Sequence, residues 1–192
     1  REHELPAALQ ALGRDPALVV TDSQAFDRVA ADTPAHVPLT GFSIVFARYK
    51  GDLAGQAADT LAIEKLRDGD RVLIAEACTH HPIEGDIGRE KIPRWLQQYT
   101  GCKLAFTVCT GHDFPDDLSS YKLAIQCGAC MHNRRAVLSR IVRCREAGVP
   151  ISNYGLTIAY THDLFERTLR PFADAYQAYK ERQADLQPAA AQ

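Results

Sequence analysis

No stretch of this chain approaches the roughly 18 consecutive apolar residues that a helical membrane span needs, so a membrane-embedded protein of that kind is not expected. Runs of Lys or Arg are missing, as are basic patches interleaved with aromatics, and the formal net charge is −2. Bulk attraction to nucleic acid or to an anionic lipid surface is therefore not expected either. The first residues, Arg-Glu-His-Glu-Leu-Pro, lack the apolar core of a signal peptide. Also missing are a GxxxxGK[ST] phosphate loop, a GxGxxG turn and a GxSxG elbow, so the chain carries no nucleotide-binding or hydrolase motif of its own. There is no internal repeat and no low-complexity linker.

What is present suits a folded protein. Over 192 residues, 46% hydrophobic and 24% charged content is enough to bury a real core as one large domain or two small ones. The six cysteines would suggest a disulfide framework in a small secreted domain. Without a signal segment, and with a CxxC pair where a strand gives way to a helix, they point instead to the reducing cytoplasm and to metal or redox chemistry.

Apolar runs and punctuation divide the chain into alternating strands and helices. Ala17-Leu18-Val19-Val20 reads as a buried strand, followed by cap candidates Thr21-Asp22-Ser23 for a helix over 25–30. Thr40 is placed to cap a second helix, on which Phe42, Val45, Phe46 and Tyr49 recur at helical spacing. A third helix is expected over 54–66. Beyond the turn Asp68-Gly69-Asp70 come strands at Val72-Leu73-Ile74-Ala75, Leu104-Ala105-Phe106-Thr107-Val108 and Tyr121-Lys122-Leu123-Ala124-Ile125, with a short one near 150–152. Helices are expected over 88–99, 133–147 and 163–182. This order predicts an α/β fold with a mainly parallel sheet and flanking helices, preceded by a smaller α/β segment.

In such sheets ligands sit beyond the carboxyl ends of the strands, and the unusual residues of this chain gather there. Glu76-Ala77-Cys78-Thr79-His80-His81-Pro82 follows one strand, and Gln126-Cys127-Gly128-Ala129-Cys130-Met131-His132 follows another. Cys109-Thr110-Gly111-His112 and Asn153-Tyr154-Gly155 end two more. Cys78, Cys127 and Cys130 together form a soft donor set of the kind that holds an iron–sulfur cluster or zinc. A helix N-terminus after the CxxC pair, with Arg134 and Arg135, would favour thiolates, and Gly128 would permit the tight turn between them. Three cysteines leave a 4Fe-4S cluster one ligand short, with an open iron that His80, His81, Glu84, Asp86 or His132 is placed to occupy or flank. His132 and Asp86 read as solvated loop residues, Cys144 as a small buried residue and Cys102 as structural. Two other uses of the same residues stay open: a thioredoxin-like dithiol oxidoreductase built on Cys127 and Cys130, and a structural Cys3His zinc site.

Cys78-Thr79-His80 and Cys127-Gly128-Ala129-Cys130 resemble the CxH…HCxxC signature of HydF, the FeFe-hydrogenase maturation GTPase family. The likeness extends to Val20-Thr21-Asp22-Ser23-Gln24, Phe46-Ala47-Arg48-Tyr49-Lys50-Gly51-Asp52, Asp68-Gly69-Asp70, Asp113-Phe114-Pro115 and Pro150-Ile151-Ser152-Asn153-Tyr154-Gly155. It implies a dimerisation segment over 1–68 and a cluster-binding domain over 69–192, with the family's GTPase domain, and hence its catalysis, absent from a chain that starts at Arg1. It also implies a homodimeric, non-catalytic scaffold. A 4Fe-4S cluster would be held there by Cys78, Cys127 and Cys130, with His80 and His81 beside it. The cargo would be a di-iron precursor, and the partners the FeFe-hydrogenase apoprotein and other maturation proteins. Where the signature places its second histidine this chain has Gln126, so the fourth position falls to His80, His81, an acidic residue such as Glu84 or Asp86, or an exogenous group. Cationic Arg134, Arg135 and Lys91 would then face an anionic cargo, and Asn153 and Tyr154 would bond its outer ligands.

Overall fold

A computed structural model describes residues 4–77, 85–111 and 113–186. Helix α1 (Leu5–Ala11) leads into strand β1 (Val19–Thr21). The Asp22 carboxylate accepts the Gln24 N–H and starts a 3-10 turn over Ser23–Ala25, which continues as α2 (Phe26–Asp32). Strand β2 (Leu39–Gly41) pairs in parallel with β1, Thr40 lying opposite Val20. Thr40 is thus a buried strand residue rather than a helix cap, and α3 (Phe42–Lys50) begins only after Gly41. Helix α4 (Leu53–Thr60) is capped by Asp52 and runs on as a 3-10 turn, Leu61–Lys65.

Four parallel strands form the main sheet: β3 (Arg71–Ala75), β4 (Ala105–Cys109), β5 (Leu123–Gln126) and β6 (Ile151–Asn153). Their spatial order is β4-β3-β5-β6. The chain steps outward from β3 to β4, crosses back over β3 to β5, and continues to β6. The strand order therefore reverses between β3 and β5, the switch point at which open parallel sheets bind ligands. The two inner strands are apolar on both sides, as a sheet covered on both faces requires. Val72, Ile74, Leu123 and Ile125 point into one core with Phe26, Ile44, Leu53, Leu96 and Leu156. Leu73, Ala75 and Ala124 point into the other with Phe114, Val137, Ile141 and Cys144. The first core draws on helices from both ends of the chain, from Phe26 of α2 to Tyr179 of α9, while the small sheet packs Leu39 and Val19 against Val29 and Ala30 in a cluster of its own.

Helix α5 (Ile92–Thr100) follows a π-helical turn at Ile87–Lys91 and stops at Gly101, whose φ of 68° is the left-handed end that glycine tolerates. Helix α6 (Arg134–Glu146) connects β5 to β6. Directly after β6, α7 (Tyr154–Thr161) is buried through most of its length. The expected last helix is two, α8 (Phe165–Leu169) and α9 (Ala173–Leu186), because Pro171 interrupts it. Helix α3 turns Ile44 and Ala47 inward. The apolar stripe that recurs at helical spacing lies outward: Phe42 and Tyr49 are 55% and 74% exposed, with Val45 and Phe46 half-buried. Among the described residues no helix is long and apolar enough to cross a membrane.

Candidate metal centre

The switch point brings the ends of β3 and β5 side by side. Ala75 pairs with Gln126, and the Cys127 N–H donates to the Ala75 carbonyl at 3.0 Å. One residue on, the Ala77 N–H donates to Cys127 Sγ at 3.1 Å, and the Ala129 N–H reaches the same sulfur at 3.4 Å. Two backbone donors aimed at one sulfur favour its thiolate. Burial is the larger influence and pushes the Cys127 thiol up, while these two N–H groups and Arg140 pull it back. The metal-free thiol is accordingly held protonated, and a metal would have to displace that proton.

The CxxC segment forms a turn ahead of α6, as expected. Asn133 caps α6 by accepting the Ala136 N–H at 2.9 Å, so Cys127 and Cys130 lie between the end of β5 and the helix N-terminus. The strained position is Ala129, with φ 53°, not Gly128. Gly128 instead lies against α3, where an added Cβ would meet Ser43 Oγ at 3.4 Å. A lysine far off in sequence holds the turn: Lys50 Nζ donates to the carbonyls of Ala129, Cys130 and His132 at 3.0, 3.1 and 2.8 Å. Cys127 is mostly buried and Cys130 exposed, so the pair runs from the interior to the surface.

Cys78, His80, His81 and Glu84 lie outside the described residues. Cys78 is the residue after Ala77, whose N–H already touches Cys127 Sγ. Among the described residues no three Cys, His, Asp or Glu side chains converge on a metal-holding point. Asp86 and His132, expected to be solvated, are 6% and 9% exposed, and Asp86 Oδ1 accepts the Arg89 N–H at 2.8 Å. Gln126 is buried and lines a small cavity with Phe46, Gln56, Cys127 and Val137; its Oε1 has no partner among the described residues.

Charges around the centre differ from those expected. Arg134 donates to the Tyr49 carbonyl at 2.8 Å, Arg135 lines the outer face of α6 with Leu138 and Val142, and Lys91 bonds Gln24 Oε1 at 2.6 Å. Asn153 is committed to structure, bonding the Ser43 carbonyl and the Leu156 N–H. The polar groups nearest the strand ends are Glu76, Arg89, Arg140 and Tyr154. Glu76 Oε2 pairs with Arg89 at 3.1 Å although the side chain is 2% exposed. Tyr154 Oη is buried without a partner among the described residues, and burial raises its pKa, with Cys127 and Glu76 adding to the shift. Arg140 has a sequence signal that was overlooked: it stands on the buried stripe of α6 with Val137, Ile141 and Cys144. Lys50 has none, being some eighty positions from its acceptors.

Cys109 ends β4 and Cys144 lies inside α6; both are buried, and burial pushes both thiols up, Cys144 to about 12. They are core residues at neutral pH. Cys102 Sγ lies near the Leu66 and Thr100 carbonyls, away from the switch point.

Two family models match the chain. The hydrogen maturase F dimerization domain matches residues 1–51, and the hydrogen maturase F tetramerization domain matches residues 56–171. None of the curated proteins compared matches it.

Proposed function

The chain belongs to the hydrogen maturase F family, HydF, whose domains support a role in hydrogenase maturation, and from that premise we propose that it is a non-catalytic scaffold for a 4Fe-4S cluster. Cys78, Cys127 and Cys130 hold the cluster at the β3–β5 switch point. The contact that carries the reading is the Ala77 N–H on Cys127 Sγ, because it brings the residue before Cys78 against the sulfur of the second cysteine. The donor set suits such a cluster: soft thiols, backbone N–H groups on sulfur, and a buried guanidinium nearby. When bound, the cluster would supply an iron with a replaceable position, suited to a di-iron precursor as cargo for the FeFe-hydrogenase apoprotein.

The chain's own residues hold and shield that centre. Cys127 is fixed by two N–H donors, and Lys50 fixes the turn that presents Cys130. Asp86 Oδ1 accepts the Arg89 N–H, and the candidates for the fourth position are His80, His81, Glu84, Asp86 or an exogenous group. The dimerization and tetramerization models support self-association, and the outward apolar stripe of α3, inside the segment matched by the dimerization model, is the surface offered for it. A thiol pushed up by burial, in a turn ahead of the helix, is a poor dithiol nucleophile and weighs against the oxidoreductase reading.

Anaerobic reconstitution tests the assignment. The native chain should bind iron and sulfide in place of zinc and, once reduced, give a 4Fe-4S EPR signal that Cys78→Ser abolishes. An undiminished signal from that variant would sink the proposal, and zinc in protein purified without oxygen would favour the structural Cys3His site.

A further inference from the structure

Arg140 sits in the interior with no anion to match it among the described residues. It lies on the inward stripe of α6 and is 5% exposed. Its Nη2 donates to the Glu76 carbonyl at 3.2 Å and to the Gly111 carbonyl at 2.6 Å, clamping the segments that leave β3 and β4. The guanidinium lies 5.1 Å from the centroid of the Phe114 ring. Nη1 is buried and has no hydrogen-bond partner among the described residues. The nearby carboxylate does not serve, since Glu76 pairs with Arg89.

A buried guanidinium satisfied only by carbonyls keeps most of its desolvation penalty, so such groups occur where an anion completes them. Three thiols lie within electrostatic reach of Arg140, those of Cys109, Cys127 and Cys144, and any of them would act on it once ionised. Cys109 and Cys144 belong to the core and stay neutral. Cys127 is the one at the switch point, where its sulfur meets the end of β3.

We propose that Arg140 is the buried counter-charge of the cluster site, a positioning residue that neutralises the anionic thiolate-bound cluster and favours its reduced form. The inference rests on the scaffold reading. A 4Fe-4S cluster on three thiolates is an anion and becomes more negative when it takes up an electron. A fixed cation in a low-dielectric setting stabilises the more negative form and so raises the reduction potential.

The test is an EPR-monitored titration with dithionite of the reconstituted chain and its Arg140→Met, Arg140→Lys and Arg143→Met variants. Arg143 lies on the same helix and over the same Phe114 ring, but it is partly exposed and paired with Asp116, so its removal controls for charge in general. Arg140→Met should lower the reduced-to-oxidised ratio at a fixed potential at least tenfold, about 59 mV for one electron. Arg140→Lys should stay near the native value, and Arg143→Met should shift the ratio less than twofold. A loaded Arg140→Met protein with the native potential overturns the proposal, whatever its melting temperature, because a merely structural clamp would change stability alone. Should Arg140→Met not fold, Arg140→Gln, which keeps a hydrogen-bond donor without the charge, decides by the same titration, and a native potential in it overturns the counter-charge role. Absence of any cluster signal in the native chain would instead defeat the scaffold reading.

Discussion

Ala77 and Cys127 are joined across the switch point of the sheet, the backbone N–H of one donating to the sulfur of the other at 3.1 Å. The contact follows from parallel pairing. With Ala75 opposite Gln126, the segments leaving β3 and β5 run side by side, and the residue after Gln126 meets the residue two beyond Ala75. The Cys127 sulfur is therefore organised by the segment that leaves β3. Burial comes with that organisation, and it separates the two cysteines of the CxxC pair chemically.

In the metal-free protein Cys130 should react with iodoacetamide at least tenfold faster than Cys127 at pH 7, because Cys130 is exposed while Cys127 is mostly buried with its thiol pushed up. Peptide mapping after timed alkylation reads the two rates. Equal rates would mean that the Ala77 and Ala129 donors and the surrounding core do not shield Cys127.

Lys50 spends all three of its ammonium donors on one turn, binding the carbonyls of Ala129, Cys130 and His132. Hydrogen bonds from a charged donor are worth about 1.5–3 kcal/mol each when they cannot be replaced, and partial access of water here places the total near the low end. Lys50→Met should destabilise the metal-free chain by about 2 kcal/mol. It should also speed iron release to a chelator severalfold, with Lys50→Arg in between. Release at the native rate would show that the turn holds its shape without the lysine.

The strands and α6 were legible in the residues, because buried parallel strands read as unbroken apolar runs and α6 carries a clear inward stripe. The reversal of strand order between β3 and β5 was not, since it depends on which distant strands pair. Helix α7 escaped notice because Leu156, Thr157, Ile158 and Ala159 are all buried and leave no polar face to reveal a period. Thr40 resembles a helix cap until β1 is found beside it. The helical spacing of the α3 stripe was legible but not the side it faces, because Ile44 and small Ala47 make the buried face and leave larger apolar residues outside. Lys50 and Arg140 reach the centre only through tertiary folding.

That outward stripe leads to a prediction about assembly. Phe42 and Tyr49 are largely exposed, one on each turn of a helix inside the segment matched by the dimerization model. Two aromatic side chains withdrawn from an interface weaken it by about a hundredfold or more. Phe42→Asp with Tyr49→Asp should lower the mass measured by light scattering while leaving the circular dichroism unchanged. A native mass at micromolar concentration would place the contact elsewhere.

Gly88 marks a close approach beside the strand ends. A Cβ there would stand 2.0 Å from Tyr154 Oη and 3.0 Å from Glu76 Oε1, both in the interior. Gly88→Ala should cost about 2–3 kcal/mol through overpacking. Tyr154→Phe removes the nearer atom, whose hydroxyl has no partner among the described residues, and alone should change stability little. The double variant should recover at least half of the loss in a denaturant series. Strict additivity would refute the clash as its cause.

Cys144 ties stability to alkaline pH. Its thiol is fully buried and burial pushes it from 9.0 up to about 12, so the folded chain keeps a proton that the unfolded chain gives up. The unfolded state binds fewer protons in that window, and stability attributable to this group is therefore intact below pH 9 and is lost as pH rises toward 12. The slope is about 1.4 kcal/mol per pH unit. Cys144→Ala should be less stable than the native chain at pH 7, where it leaves a small void. Its deficit should shrink by about 2 kcal/mol between pH 9 and 10.5, because the alanine chain lacks the titrating thiol. Urea unfolding of both chains under reducing conditions measures the two curves, and parallel curves across that interval would show that the Cys144 thiol ionises alike in the folded and unfolded chain.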